Sequence, residues 1–208
     1  DIDEDGTIYF TDASSRFIQK EYLYDLMESK PHGRFLSYDP ATGRIAVLLK
    51  DLYFANGVAL SHDEQFIFAN ETGKYRVWKI AVAADNHDVR QASPLAEVLL
   101  DNLPGYPDNL MRGLDGKIWL GFAKPRNPTV DQMADKPFLR KLTLRLPRAF
   151  WPVPKPYGHV IAFTEDGEIV ADLQDPAGSY PETTAVTKTR QRLYVQSLHA
   201  KVIGWLPR

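Results

Sequence analysis

Short apolar runs broken by acidic and glycine turns dominate the chain. Strand signals rich in Val, Ile, Tyr, Phe and Trp cover Thr7 to Thr11, Arg34 to Tyr38, Arg44 to Leu49, Gln65 to Ala69 and Arg76 to Val82. They continue over Lys117 to Phe122, Val160 to Thr164, Glu168 to Asp172 and Arg192 to Gln196. Asp-Gly, Asn-Gly and Pro-Gly pairs punctuate them. Helical periodicity is confined to Gln19 to Glu28 and to a segment inside residues 124–157.

The strands repeat. An apolar segment, an acidic turn and a strand centred on an apolar or aromatic residue recur four times, with Tyr9, Ile67, Trp119 and Tyr194 in equivalent phase. These markers stand about 58, 52 and 75 residues apart, and the long third interval contains the irregular segment 124–157. Each hairpin is followed by two further strands. Four strands per repeat of about 50 residues predicts an all-β fold, a β-propeller of four-stranded blades, with a helical insertion in one blade. A β-sandwich is the alternative, and the fixed phase favours the propeller. The predicted blades cover about 1–52, 55–103, 107–175 and 183–208, with the insertion at 124–157. About three and a half blades are expected, as part of a longer ring whose open edges are free to pair with another copy.

Counting back eleven residues from each marker reaches one slot per blade near the channel: Asn56, Asp108 and Thr183. Asn and Asp oxygens suit a hard cation such as calcium. The same residues also read as turn formers, Asn56-Gly57 and Pro107-Asp108-Asn109.

Composition narrows the chemistry. There is no cysteine, which excludes a thiolate metal site and a cysteine nucleophile. A net charge of −2 with scattered Lys and Arg argues against a nucleic-acid footprint. No nucleophile elbow or dinucleotide-binding glycine loop occurs, and the five histidines show no metal-ligand spacing. A small-molecule substrate is the expected partner.

Phe54-Ala55-Asn56-Gly57-Val58-Ala59-Leu60-Ser61, Leu103-Pro104-Gly105-Tyr106-Pro107-Asp108-Asn109-Leu110 and Asp5-Gly6-Thr7-Ile8-Tyr9-Phe10-Thr11-Asp12 carry a family resemblance. They resemble the core of strictosidine synthase-like proteins. These belong with the six-bladed propellers of gluconolactonase, regucalcin, paraoxonase-like lactonases and adipocyte plasma membrane-associated protein. The resemblance implies a calcium at the ring axis, with Asn56 and Asp108 as ligands and Asn109 beside them. A first-blade glutamate ligand of those relatives has no counterpart in the chain. The implied activity is calcium-dependent hydrolysis of a lactone or related ester, with the 208-residue piece itself expected to be inactive. Asp12 and Glu71 are candidates for auxiliary acid–base roles, and Thr183, Glu182 and His159 for substrate contacts. Strictosidine synthases proper resemble a different case, a metal-free amine–aldehyde condensation that uses a glutamate near the position of Thr184 or Ala185. Glu182 is close to that position but out of phase. A ligand-binding propeller without turnover is the third reading.

The insertion reads as a short basic amphipathic helix ended by Pro147, with apolar residues at 138, 139, 142, 144 and 146 among Arg140, Lys141, Arg145 and Arg148. It could cap the channel, dock on another protomer or lie on a membrane surface. The resemblance favours the cap over membrane contact.

Overall fold

The computed structural model describes residues 1–207. Strands β1 (Ile8–Asp12), β2 (Gly33–Asp39) and β3 (Arg44–Leu52) form an antiparallel meander. Strands β4 (Ala55–Leu60), β5 (Phe66–Glu71) and β6 (Arg76–Ala81) begin a second sheet. A two-residue strand, β7 (His87–Asp88), then reaches back to pair parallel with β3 before β8 (Ala96–Leu100) completes the second sheet beside β6. A third sheet runs through β9 (Gly105–Arg112), β10 (Lys117–Pro125), β11 (Gly158–Thr164) and β12 (Ile169–Asp175). One bridge, Phe122 to Thr183, links it to the last meander, β13 (Thr183–Lys188), β14 (Arg192–Ser197) and β15 (Gly204–Pro207). The sequence-predicted strands all overlap these elements, none running more than one residue past an observed end; the backward-reaching β7 has no hydrophobic signature and was not predicted.

The sheets stack face to face, and the burial pattern records this. In a sheet with one wet face, apolar residues alternate with polar ones. In β5 they do not: Ile67 and Phe68 are both fully buried. Ile67 packs with Tyr9, Phe35 and Leu49 of the first sheet, whereas Phe68 packs with Leu110, Ile118 and Phe163 of the third. Phe68 and Phe163 meet edge-on, with ring centroids 6.1 Å apart. The alternation repeats one sheet later. Ile118 and Leu120 face the second sheet, while Trp119 faces Val186, Leu193 and Val195 of the last meander. Each central strand therefore feeds two cores. Stacking of four-stranded sheets through both faces, in sequence order, is the propeller architecture.

The antiparallel registers set one working end. Ala55 pairs with Glu71 and Pro107 with Phe122, so the starts of inner strands β4 and β9 lie beside the ends of β5 and β10. The connections leaving those ends share that end of the molecule. The β1–β2 connection carries α1 (Tyr22–Glu28). The β10–β11 connection carries α2 (Pro128–Asp131) and α3 (Pro137–Arg145), and α3 stops just before Pro147. Met27 of α1 packs with Val130 and Met133, and Arg140 donates to the Leu26 carbonyl oxygen at 3.2 Å. The insertion is thus anchored to a helix more than one hundred residues earlier, a contact invisible to local pattern.

Candidate functional site

Inner strands β4 and β9 lie side by side at backbone contact. A Cβ on Gly57 would stand 2.4 Å from the Asp108 carbonyl oxygen and 2.4 Å from the Leu110 nitrogen, so only glycine allows this approach. Both strands also slip register at the same height. Between Ala55 and Val58, three steps on β4 face two on β5; between Pro107 and Leu110, three steps on β9 face two on β10. A β-bulge re-aims side chains locally. These two bulges carry Asn56-Gly57 and Asp108-Asn109.

The result is a polar cluster built from four strand ends. Asn56 Nδ2 donates to Asp108 Oδ1 at 2.9 Å and approaches Thr72 Oγ1 at 3.3 Å. The Thr72 hydroxyl donates to the Pro107 carbonyl oxygen at 2.6 Å. Thr11, at the end of β1, donates to the Asn56 carbonyl oxygen. Asn70 is 1% exposed and donates through Nδ2 to the Asp108 carbonyl oxygen, while its Oδ1 is buried without a partner. Burial pushes the Asp108 carboxyl up to about 6, and the Asn56 amide only partly offsets this; no cation contributes.

Asn56 and Asp108, predicted from repeat phase, therefore meet. Asn109 shares the bulge and is half-buried, with no side-chain hydrogen bond among the described residues. Thr183, the third slot, does not join them. Its hydroxyl donates to the His159 carbonyl oxygen at 2.9 Å and accepts from the His159 nitrogen at 2.7 Å, which ties it to β11. Glu182 has φ +55° and pairs with Lys124 and His199. His159 donates or accepts through Nε2 at 2.9 Å from Asp172 Oδ1, and burial lowers its basicity against the pull of that carboxylate. It lines an inter-sheet cavity of about 370 Å³ with Tyr180 and Trp205, which neither Asn56 nor Asp108 lines.

The two auxiliary candidates are occupied elsewhere. Glu71 is fully buried and accepts from Tyr53 N at 2.7 Å, Trp78 Nε1 at 2.7 Å and Arg76 Nε at 2.5 Å. Asp12 pairs with Arg34 at 2.5 Å. Sequence reasoning missed Thr11, Asn70 and Thr72, which complete the cluster. Their signal was present in the repeat: each lies within one residue of the end of the strand that carries a phase marker.

Among the described residues, no group of three His, Cys, Asp or Glu side chains is placed to hold a metal ion. The cluster instead offers one carboxylate, two amides and two hydroxyls. The Asn70 amide oxygen, buried without a partner, and the half-buried Asp108 carboxylate, without a counter-charge among the described residues, fit a hard cation, since each would gain the partner it lacks.

Comparison with known proteins agrees with this architecture. Residues 1–85 match the strictosidine synthase family model. Strictosidine synthase-like 7 protein of Arabidopsis thaliana is 34% identical over 206 residues, covering 95% of this chain and 50% of the relative. Adipocyte plasma membrane-associated protein of Salmo salar is 35% identical over 186 residues, covering 86% and 43%. The chain spans about half the length of the curated relatives it matches. Among solved structures, a gluconolactonase from Xanthomonas campestris superposes with a TM-score of 0.60 at 16% identity, over 99% of this chain and 55% of that one. A calcium-binding regucalcin from Agrobacterium tumefaciens gives 0.52 at 17% identity, over 84% and 48%. On sequence and fold together, this chain is a β-propeller of the strictosidine synthase-like type.

Proposed function

We propose that the Asn56–Asp108 cluster is the cation-binding half-site of a calcium-dependent hydrolase acting on a lactone or related ester. The observation that carries this reading is Asp108, a half-buried carboxylate that faces the Asn56 amide and, among the described residues, no cationic side chain. The likeness to a gluconolactonase and a calcium-binding regucalcin supports it. Bound calcium supplies Lewis-acid polarisation of a carbonyl oxygen. Asp108 holds the cation through its ionised carboxylate. Asn56 and Asn70 present amide oxygens once their amides turn toward it, and the Thr72 hydroxyl fixes the Pro107 backbone behind Asp108. The carboxylate of Glu71, bound by three donors, is unavailable as a base, and so the general base lies outside the carboxylates predicted here.

A propeller that binds ligand without turnover is the second reading, favoured because both acid–base candidates are engaged elsewhere, Glu71 by three donors and Asp12 by Arg34. Calcium titration by calorimetry, alongside a panel of lactones, separates the two. Hydrolysis that needs calcium and disappears in Asp108→Asn upholds the hydrolase. Calcium binding with no hydrolysis by the full-length protein gives the binding module, and amine–aldehyde condensation without metal gives the strictosidine-type lyase.

A further inference from the structure

Helix α3 has inverted polarity. Its one buried residue is a cation: Arg140 is 9% exposed, and its guanidinium donates to the carbonyl oxygens of Met133, at 2.9 Å, and Leu26. Of its apolar side chains only Leu144 packs inward, against Met27, Val130 and Met133; the others face outward. Phe138 is 74% exposed and Leu142 47%, and just beyond the helix Phe150 is 71% exposed. A helix on an aqueous surface normally does the reverse, turning its apolar stripe inward.

Charge accompanies the apolar face. Residues 136–155 contain six Lys and Arg and no Asp or Glu, within a chain of net charge −2. Lys141, Arg145 and Arg148 are exposed on the same segment. Each is interleaved with exposed apolar side chains, which is the composition of a helix lying in a lipid–water interface. The helix is also held rigidly, because the Arg140 anchor fixes it to α1.

We propose that this face, α3 with the turn through Phe150, docks on an anionic phospholipid surface. Phe138, Leu142 and Phe150 enter the headgroup boundary, and Lys141, Arg145 and Arg148 contact lipid phosphates. A second copy of the chain is the less favourable occupant. A two-fold pairing through this face would oppose two basic surfaces with no acidic residue between them. The docking itself does not depend on the hydrolase reading.

Co-sedimentation of the 208-residue chain with vesicles tests this directly. Vesicles of phosphatidylcholine with one-third phosphatidylserine should pellet the protein, and pure phosphatidylcholine should not. Binding should weaken with salt, and K141E/R145E should reduce it by more than tenfold, since each basic contact contributes about fivefold. F138S/L142S should reduce it comparably, whereas L114S, at the opposite end of the sheets, should leave it unchanged. Brominated phosphatidylserine should quench wild-type fluorescence, and W151F should remove that quenched fraction, a readout that needs no destabilising variant. Equal binding to both vesicle types, no binding to either, or an unquenched Trp151 overturns the proposal. Concentration-dependent dimerisation abolished by F138S/L142S overturns it in favour of a second copy.

Discussion

Asn56 and Asp108 are 52 residues apart in the chain, yet the amide of one donates to the carboxylate of the other at 2.9 Å. Bulges at matching heights in two neighbouring inner strands bring them together. Burial at this junction raises the Asp108 carboxyl to about 6, against the pull of the Asn56 amide, and makes cation binding pH-dependent. A cation competes with the proton for the same oxygens. Calcium affinity should therefore fall about tenfold per unit as pH drops below about 6. Calorimetry at pH 5, 6 and 7.5 checks this; a flat profile would place the cation elsewhere.

The same carboxyl should mark the stability curve. Its folded pKa of about 6 exceeds the ordinary 3.8, so between those values the folded state keeps a proton that the unfolded chain has lost. Its stabilisation is full below about pH 4 and is lost as pH rises through about 6, a change of up to about 3 kcal/mol. His159 acts with opposite sign, because its lowered basicity removes stability as pH falls below its ordinary 6.5. The difference between wild-type and Asp108→Asn denaturation curves isolates the first effect. In cation-free buffer that variant should be the more stable protein above pH 6.

Gly57→Ala should break the site without touching a polar group. The new methyl meets backbone atoms of Asp108 and Leu110 at 2.4 Å, and backbone has nowhere to retreat between two sheets. A loss of about 3 kcal/mol is expected by urea denaturation, together with lost calcium binding.

Glu71→Ala should act on stability. The carboxylate satisfies the Arg76 guanidinium, the Trp78 indole and a backbone N–H, and the last two would be left buried without an acceptor. A cost of about 3–5 kcal/mol is expected. If Glu71→Gln instead kept wild-type stability and abolished turnover, Glu71 would be a base.

Arg140→Ala should loosen the insertion alone. Hydrogen exchange of residues 137–145 should accelerate while that of β5 and β10 stays slow, since the anchor lies outside the sheet cores.

The blade arithmetic was legible because turn residues repeat. Asp115-Gly116 places Gly116 at φ +69°, a conformation glycine enters freely, and such turns mark the phase. Repeat phase then located Asn56 and Asp108. It misplaced Thr183 as a third member, because phase fixes a backbone height and not a side-chain direction; the Thr183 hydroxyl finds its partners on the His159 backbone. The bulges were illegible for the same reason: Asn-Gly and Asp-Asn read equally well as turns. The burial of Glu71, singled out only as an acid–base candidate, and of Arg140 was hidden by their charge. A sequence reader assigns such residues to solvent, and only the facing carbonyls, indole and guanidinium reveal why they are inside.

The two-residue strand His87–Asp88 pairs with β3 of the preceding sheet, with Leu49 opposite His87. The link between β6 and β8 thereby works as a backstitch, sewing the outer margin of one blade to its predecessor. Neighbouring blades so fastened at the rim, as well as through their shared cores, are expected to melt in one step rather than peel away singly.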